Sequence, residues 1–144
     1  MEIDYAILAD HADVVGNKLY LMGGVWDWTA APEAPAPVRI AIACGVRIGW
    51  EETNVPIPVL ITIEDDDAQE TMRFVAEVNV GRPPNLPAGT AQLSQMAVNI
   101  QVSLPRFGGY RVVITAGPGE AAVRKMLPFR LVRRAPAGGA PLAP

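Results

Sequence analysis

Apolar side chains recur at every second position over three long stretches of this chain, and that period leaves little choice of backbone. Val38, Ile40, Ile42, Cys44, Val46 and Ile48 alternate with Arg39, Ala41, Ala43, Gly45, Arg47 and Gly49. Met72, Phe74, Ala76, Val78 and Val80 alternate with Thr71, Arg73, Val75, Glu77 and Asn79. Met96, Val98, Ile100, Val102 and Leu104 alternate with Gln95, Ala97, Asn99, Gln101 and Ser103. Successive side chains of a strand point to opposite faces, so each stretch reads as a strand with one face in a core. A helix would need apolar positions three and four residues apart, and these stretches lack them.

Five further segments read as strands: Ile3 to Ala12, Lys18 to Trp26, Val55 to Glu64, Tyr110 to Ala116 and Ala121 to Val132. The first two flank Asp13-Val14-Val15-Gly16-Asn17, a turn signal that suits a hairpin. In the third, Ile57, Val59, Ile61 and Ile63 share a face. Pro56 and Pro58 remove N–H donors from one side of that strand, which predicts an edge at its start. Most other prolines fall between the segments or in the tail. About eight strands with turns between them predict an all-β chain, a two-sheet antiparallel β-sandwich of immunoglobulin-like or jelly-roll-like form. The sandwich is expected over residues 1–132, with a flexible Pro/Ala/Gly-rich tail over 133–144.

Half of the 144 residues are hydrophobic, enough for one domain to build a core without disulfides or metal. Cys44 is the single cysteine, in an apolar run, which suits a buried thiol in a reducing compartment and hence a cytoplasmic location. The opening residues carry two acids and no basic stretch, so no secretory signal is expected. No apolar run is long enough for a membrane span. A net charge of −3 gives no general attraction to nucleic acid.

The opening Asp4-Tyr5-Ala6-Ile7-Leu8-Ala9-Asp10-His11-Ala12, followed by Gly16-Asn17-Lys18-Leu19 and Met22-Gly23-Gly24, resembles the start of a bacterial family of short proteins. That family carries only a domain-of-unknown-function label. The stretch Leu104-Pro105-Arg106-Phe107-Gly108-Gly109-Tyr110-Arg111-Val112 and the strand through Pro128-Phe129-Arg130-Leu131 are similar to its ending. The resemblance implies the sandwich fold. It implies no activity, cofactor or catalytic residue.

Candidate chemistry is sparse. The chain has one histidine, one cysteine and two serines, Ser94 and Ser103, and no Gly-x-Ser-x-Gly elbow. Cys44 points to the apolar face, where a thiolate is disfavoured. No cofactor is expected. Asp10, His11 and Asp13 come nearest to a metal set, but their spacing matches no established cage, and a hairpin turn accounts for them as well. The run Glu64-Asp65-Asp66-Asp67 with Glu70 reads as a solvated turn. Trp26 and Trp28 are two residues apart and would share a strand face. With Trp50 they could form a stacking platform for a small ligand or a carbohydrate, or else cover the end of the core.

The outer face of the third strand carries a different signal. Ala41, Ala43 and Gly45 form a smooth strip flanked by Arg39 and Arg47, and small residues let another backbone approach closely. That strip is the candidate interface. A basic C-terminal strand with Arg124, Lys125, Arg130, Arg133 and Arg134 could meet the acidic turn of another copy. The sequence therefore points first to a non-catalytic interaction or assembly module, with itself as a homo-oligomer or another protein as partner. The alternative is a small-ligand or carbohydrate-binding domain centred on the tryptophans.

Overall fold

The structure, a computed structural model, describes residues 1–135. Among them are nine strands and two short 3-10 turns, Trp50–Glu52 and Gly119–Ala121. The strands are β1 (Glu2–Val15), β2 (Lys18–Gly24), β3 (Trp28–Ala31), β4 (Ala36–Ile48), β5 (Ile57–Asp65), β6 (Glu70–Val78), β7 (Gln92–Leu104), β8 (Gly108–Ala116) and β9 (Val123–Arg133). They form two stacked sheets, ordered β2-β1-β4-β7 and β3-β9-β8-β5-β6. The fold is an all-β sandwich.

The alternation places the core as read. Ile40, Ile42, Cys44 and Ile48 of β4 are fully buried against Val59, Ile61 and Ile63 of β5, Val112 and Ile114 of β8, and Phe129 and Leu131 of β9. Met72, Phe74 and Val78 of β6, and Met96, Val98 and Ile100 of β7, pack on the same core but are only half-buried. Both strands end their sheets, so their inward side chains lie at the open margin of the sandwich.

Three details differ from the sequence reading. β1 runs on to Val15, and the hairpin closes through Gly16-Asn17 alone, both with φ near +60°. That is the two-residue turn favoured by strand twist. A ninth strand, β3, pairs parallel with β9 from Trp28↔Arg130 to Ala31↔Arg133, so the second sheet is mixed. Four residues without a period gave no signal in advance. Finally, β5 lies inside its sheet, between β8 and β6. The Pro58 carbonyl accepts from Gly117 N–H just past the last residue of β8, so its missing donor faces the end of that partner, not a sheet edge.

The turn before β8 is tied by Tyr110. Its hydroxyl donates to the Arg106 carbonyl at 2.6 Å and accepts from the Arg106 N–H at 3.0 Å, the arrangement of a tyrosine corner. The Tyr110 ring stacks on Phe129 with 5.6 Å between centroids. No helix among the described residues is long and apolar enough to cross a membrane. Of the expected tail, positions 136–144 lie outside the described residues, and Arg133 still belongs to β9.

Candidate functional site

The candidate interface on β4 is occupied by the chain itself. β1 pairs with β4 from Glu2↔Arg47 to Ala9↔Ala41, then leaves it and continues with β2 as a hairpin over the outer face of β4 and β7. Ala9, Ala12, Ala41 and Ala43 are completely buried there, with Tyr5, Leu19, Leu21 and Ala97 packed around them. A Cβ on Gly45 would run into Cε1 of the Tyr5 ring. Side chains of β7 hold the hairpin down. Asn99 accepts from Ala12 N–H at 3.1 Å and donates to Ala12 C=O at 2.7 Å. Gln95 accepts from the Tyr5 hydroxyl at 2.6 Å and donates to the Asn17 carbonyl at 2.8 Å. The expectation that Ala41, Ala43 and Gly45 meet a subunit is therefore corrected. Small side chains do admit a second layer, and that layer is the N-terminal hairpin. Arg47 pairs with Asp4, and Arg39 remains exposed.

The three tryptophans do not form one platform. Trp26 lies in the link between β2 and β3, half-buried, its ring edge-on to Phe129 at 5.9 Å. Its indole Nε1 is buried with no partner. Trp28 begins β3 and is 61% exposed. Trp50 follows Ile48 at the other end of β4, beneath the Arg82 guanidinium at 4.2 Å from the ring centroid. Arg82 also donates to the Trp50 carbonyl and to the Thr53 hydroxyl, so this cluster fastens a loop.

Of Asp10, His11 and Asp13, only the last two come together. His11 Nε2 lies 2.9 Å from Asp13 Oδ2 on the exposed hairpin, whereas Asp10, its chain neighbour, lies over Gly23 and beside a small cleft with Arg39 and Asn99. No group of three or more His, Cys, Asp or Glu side chains suited to a metal occurs among the described residues. Cys44 is inaccessible, and burial pushes its thiol up to about 11. His11 is exposed on the hairpin, away from it.

The acidic run is an exposed turn at Asp66 and Asp67, as read, but Asp65 is not solvated. Asp65 continues the inward parity of Ile57, Val59, Ile61 and Ile63 and is only 5% exposed. Its carboxylate accepts from the N–H groups of Gln69 and Asp67, each at 2.9 Å, and from Arg106. The Gln69 N–H, with Asp67 N–H and the Arg106 guanidinium behind it, lowers its pKa against the opposing effect of burial. Glu64 pairs with Arg111 and Glu70 with Arg73. Arginines of the same chain thus already engage four of these acids, Asp67 among them with Arg106 at 3.7 Å, which leaves less for the basic strand of another copy.

Two features remain unengaged. The first is the free side of β7. Its 13 residues pair with β4 without a register break, and no backbone partner lies on the other side among the described residues. The strand contains no charged residue, no proline and no glycine. The other three edges are each blunted. β3 has four residues. β6 carries Glu70, Arg73 and Glu77 and a register shift near its start. β2 is short, with Lys18 at one end and Gly23-Gly24 at the other.

The second feature is a cleft of about 670 Å³ on the outside of the second sheet, lined by Trp28, Arg130, Pro128, Val132, Asp27 and Asp66 over Gly109. Trp28 is the register partner of Arg130, and Arg130 of Gly109. Asp66 follows Asp65, the partner of Tyr110, so these residues make one row across the sheet.

Residues 4–127 match a family model described as a family of unknown function, DUF6941. The chain belongs to that family. A search of curated proteins returned no match. The matched span includes all of β7 and the hairpin that folds over it, and stops before Arg130. The family supplies no activity, so the geometry has to carry the functional reading.

Proposed function

We propose that this chain is a non-catalytic assembly module that self-associates through the free side of β7. The observation that carries the reading is the contrast among the four edges. Folded proteins protect sheet edges with charge, proline, bulges or brevity, because a row of free N–H and C=O groups recruits another strand. β7 has none of these protections over a length of roughly 40 Å.

The occupant is a second copy, joined antiparallel about a two-fold axis. Such an interface must be self-complementary. An uncharged strand meets itself without placing like charges opposite each other, and Gln101, whose amide makes no side-chain hydrogen bond among the described residues, can bond across the axis. The half-buried Met96, Val98 and Ile100 of each copy would meet across the same axis and shelter one another. The product is one continuous sheet of two four-stranded halves. A lone buried cysteine suits a reducing cytoplasmic setting for this assembly.

Sedimentation velocity at micromolar concentration tests the reading. The expected species has twice the 15.4 kDa mass of one chain. Gln101→Lys with Ser103→Lys, both at exposed positions of β7, should return it to a monomer with unchanged circular dichroism. A wild-type monomer throughout, or a dimer indifferent to these lysines, overturns it.

A further inference from the structure

The cleft beside Trp28 combines groups that one class of small molecule uses together. Trp28 presents most of its ring to solvent, and Pro128 and Val132 extend the apolar wall along β9. Three charged side chains surround this wall: Asp27, Asp66 and Arg130. Among the described residues none of the three has an ion-pair partner within 4.0 Å, although the acids and arginines on the neighbouring strands are paired with one another. The Asp66 carboxylate leans over Gly109, with Oδ1 2.6 Å from the point where a side chain at that position would begin. Glycine thus keeps the floor of the cleft open beneath a free acceptor.

The charges narrow the ligand. A cation stacked on Trp28 would lie next to the Arg130 guanidinium, its cross-strand neighbour. An anion drawn to Arg130 would face the carboxylates of Asp27 and Asp66. A neutral molecule that carries both donors and acceptors avoids each repulsion: its hydroxyls donate to the two carboxylates and accept from the arginine. It also needs a flat apolar face to cover an indole. A pyranose ring has both, and an apolar cleft with a few converging polar groups is the usual setting for such a ligand.

We propose that this cleft binds a neutral pyranose sugar, with the ring stacked on Trp28, two hydroxyls held by Asp27 and Asp66, and a third by Arg130. The site is independent of β7, on the opposite sheet, and one proposal stands without the other.

The test uses the three indole N–H signals of nitrogen-15-labelled protein, with that of Trp28 assigned by Trp28→Phe. The probes are the methyl glycosides of glucose, galactose and mannose, and cellobiose. At least one should shift the Trp28 signal saturably, with Kd on the order of 1–10 mM, and leave the Trp26 and Trp50 signals in place. Asp66→Ala and Arg130→Ala, both at exposed positions, should each weaken that probe roughly tenfold. Three results overturn the proposal: no shift with any probe at about 50 mM; equal affinity in both alanine variants; or a stronger Trp28 response to tetramethylammonium or methyl phosphate than to every sugar.

Discussion

The two outer faces of the sandwich reverse what side-chain size suggests about burial. On the first sheet the smallest residues, Ala41 and Ala43, are completely buried and Gly45 lies beneath a tyrosine ring. On the second, Trp28, Val75 and Met126 are 61%, 67% and 56% exposed. The first face bears a third layer, the β1–β2 hairpin, and the second bears none among the described residues. A small side chain reports how closely the next layer approaches. It does not say whether that layer is solvent, another chain or the same chain.

The sharpest way to break this contrast is to add volume under the hairpin. Gly45→Val would drive its side chain into the Tyr5 ring and toward Leu93, whose Cδ1 lies 3.0 Å from the added Cβ. Tyr5 is tethered to Gln95 and cannot swing aside without losing that bond. Overpacking of this kind costs about 2–3 kcal/mol, measured by urea unfolding. Adding Tyr5→Ala should recover part of the loss. Unchanged stability in the single variant would mean that the Tyr5 ring does not lie over Gly45.

Next in size is the tether itself. Asn99→Ala removes both hydrogen bonds to the Ala12 backbone and leaves an N–H and a carbonyl at the margin of a buried cluster. A loss of about 1–2 kcal/mol is expected, with faster hydrogen exchange at Ala12 and little change at the core amides of β8. Uniform acceleration across both sheets would instead make the hairpin part of one cooperative unit.

How far the sequence could foresee these features depends on what alternation encodes. It assigns each residue of a strand to one of two faces, and on β4, β6 and β7 it assigned the core face correctly. It carries no information about what covers the opposite face, so the strip of Ala41, Ala43 and Gly45 was legible as a site of close approach and its occupant was not. Parity was also an unused signal. Asp65 falls in step with Ile57 to Ile63, which marks it as inward, whereas its setting in an acidic run suggested solvent. The spacing of Trp26 and Trp28 failed for the reverse reason. The chain turns at Gly23 and Val25, both with φ near +61°, and the two rings no longer share a strand. That β7 is an edge depends on strand order, which rests on pairings between segments far apart in the chain.

A smaller effect distinguishes the covered face by pH. Burial, reinforced by the neighbouring Cys44 thiolate charge, pushes the Tyr5 hydroxyl up to about 12 from an ordinary value of 10. Between those values the folded protein keeps a proton that the unfolded chain releases, so stability falls as pH rises through the window. Cys44 acts in the same direction one unit lower, between 9 and about 11. Tyr5→Phe should flatten the part of the decline above pH 10 and leave the part that begins near 9. An identical profile in the variant would place the Tyr5 hydroxyl in water and remove the hairpin's seal.

The smallest expected effect is on the open face, and its smallness is informative. Val75→Thr keeps a β-branched shape suited to a strand and replaces a methyl group with a hydroxyl at a position already two-thirds exposed. Nothing is desolvated in the folded chain, so the change in unfolding free energy should stay within about 0.5 kcal/mol at every protein concentration. A loss above about 1 kcal/mol that grows with concentration would have one physical source: the hydroxyl would be losing water on association, so another copy must cover this face. The second sheet would then carry its own third layer, supplied in trans, and the difference between the two faces would lie in which chain provides the cover.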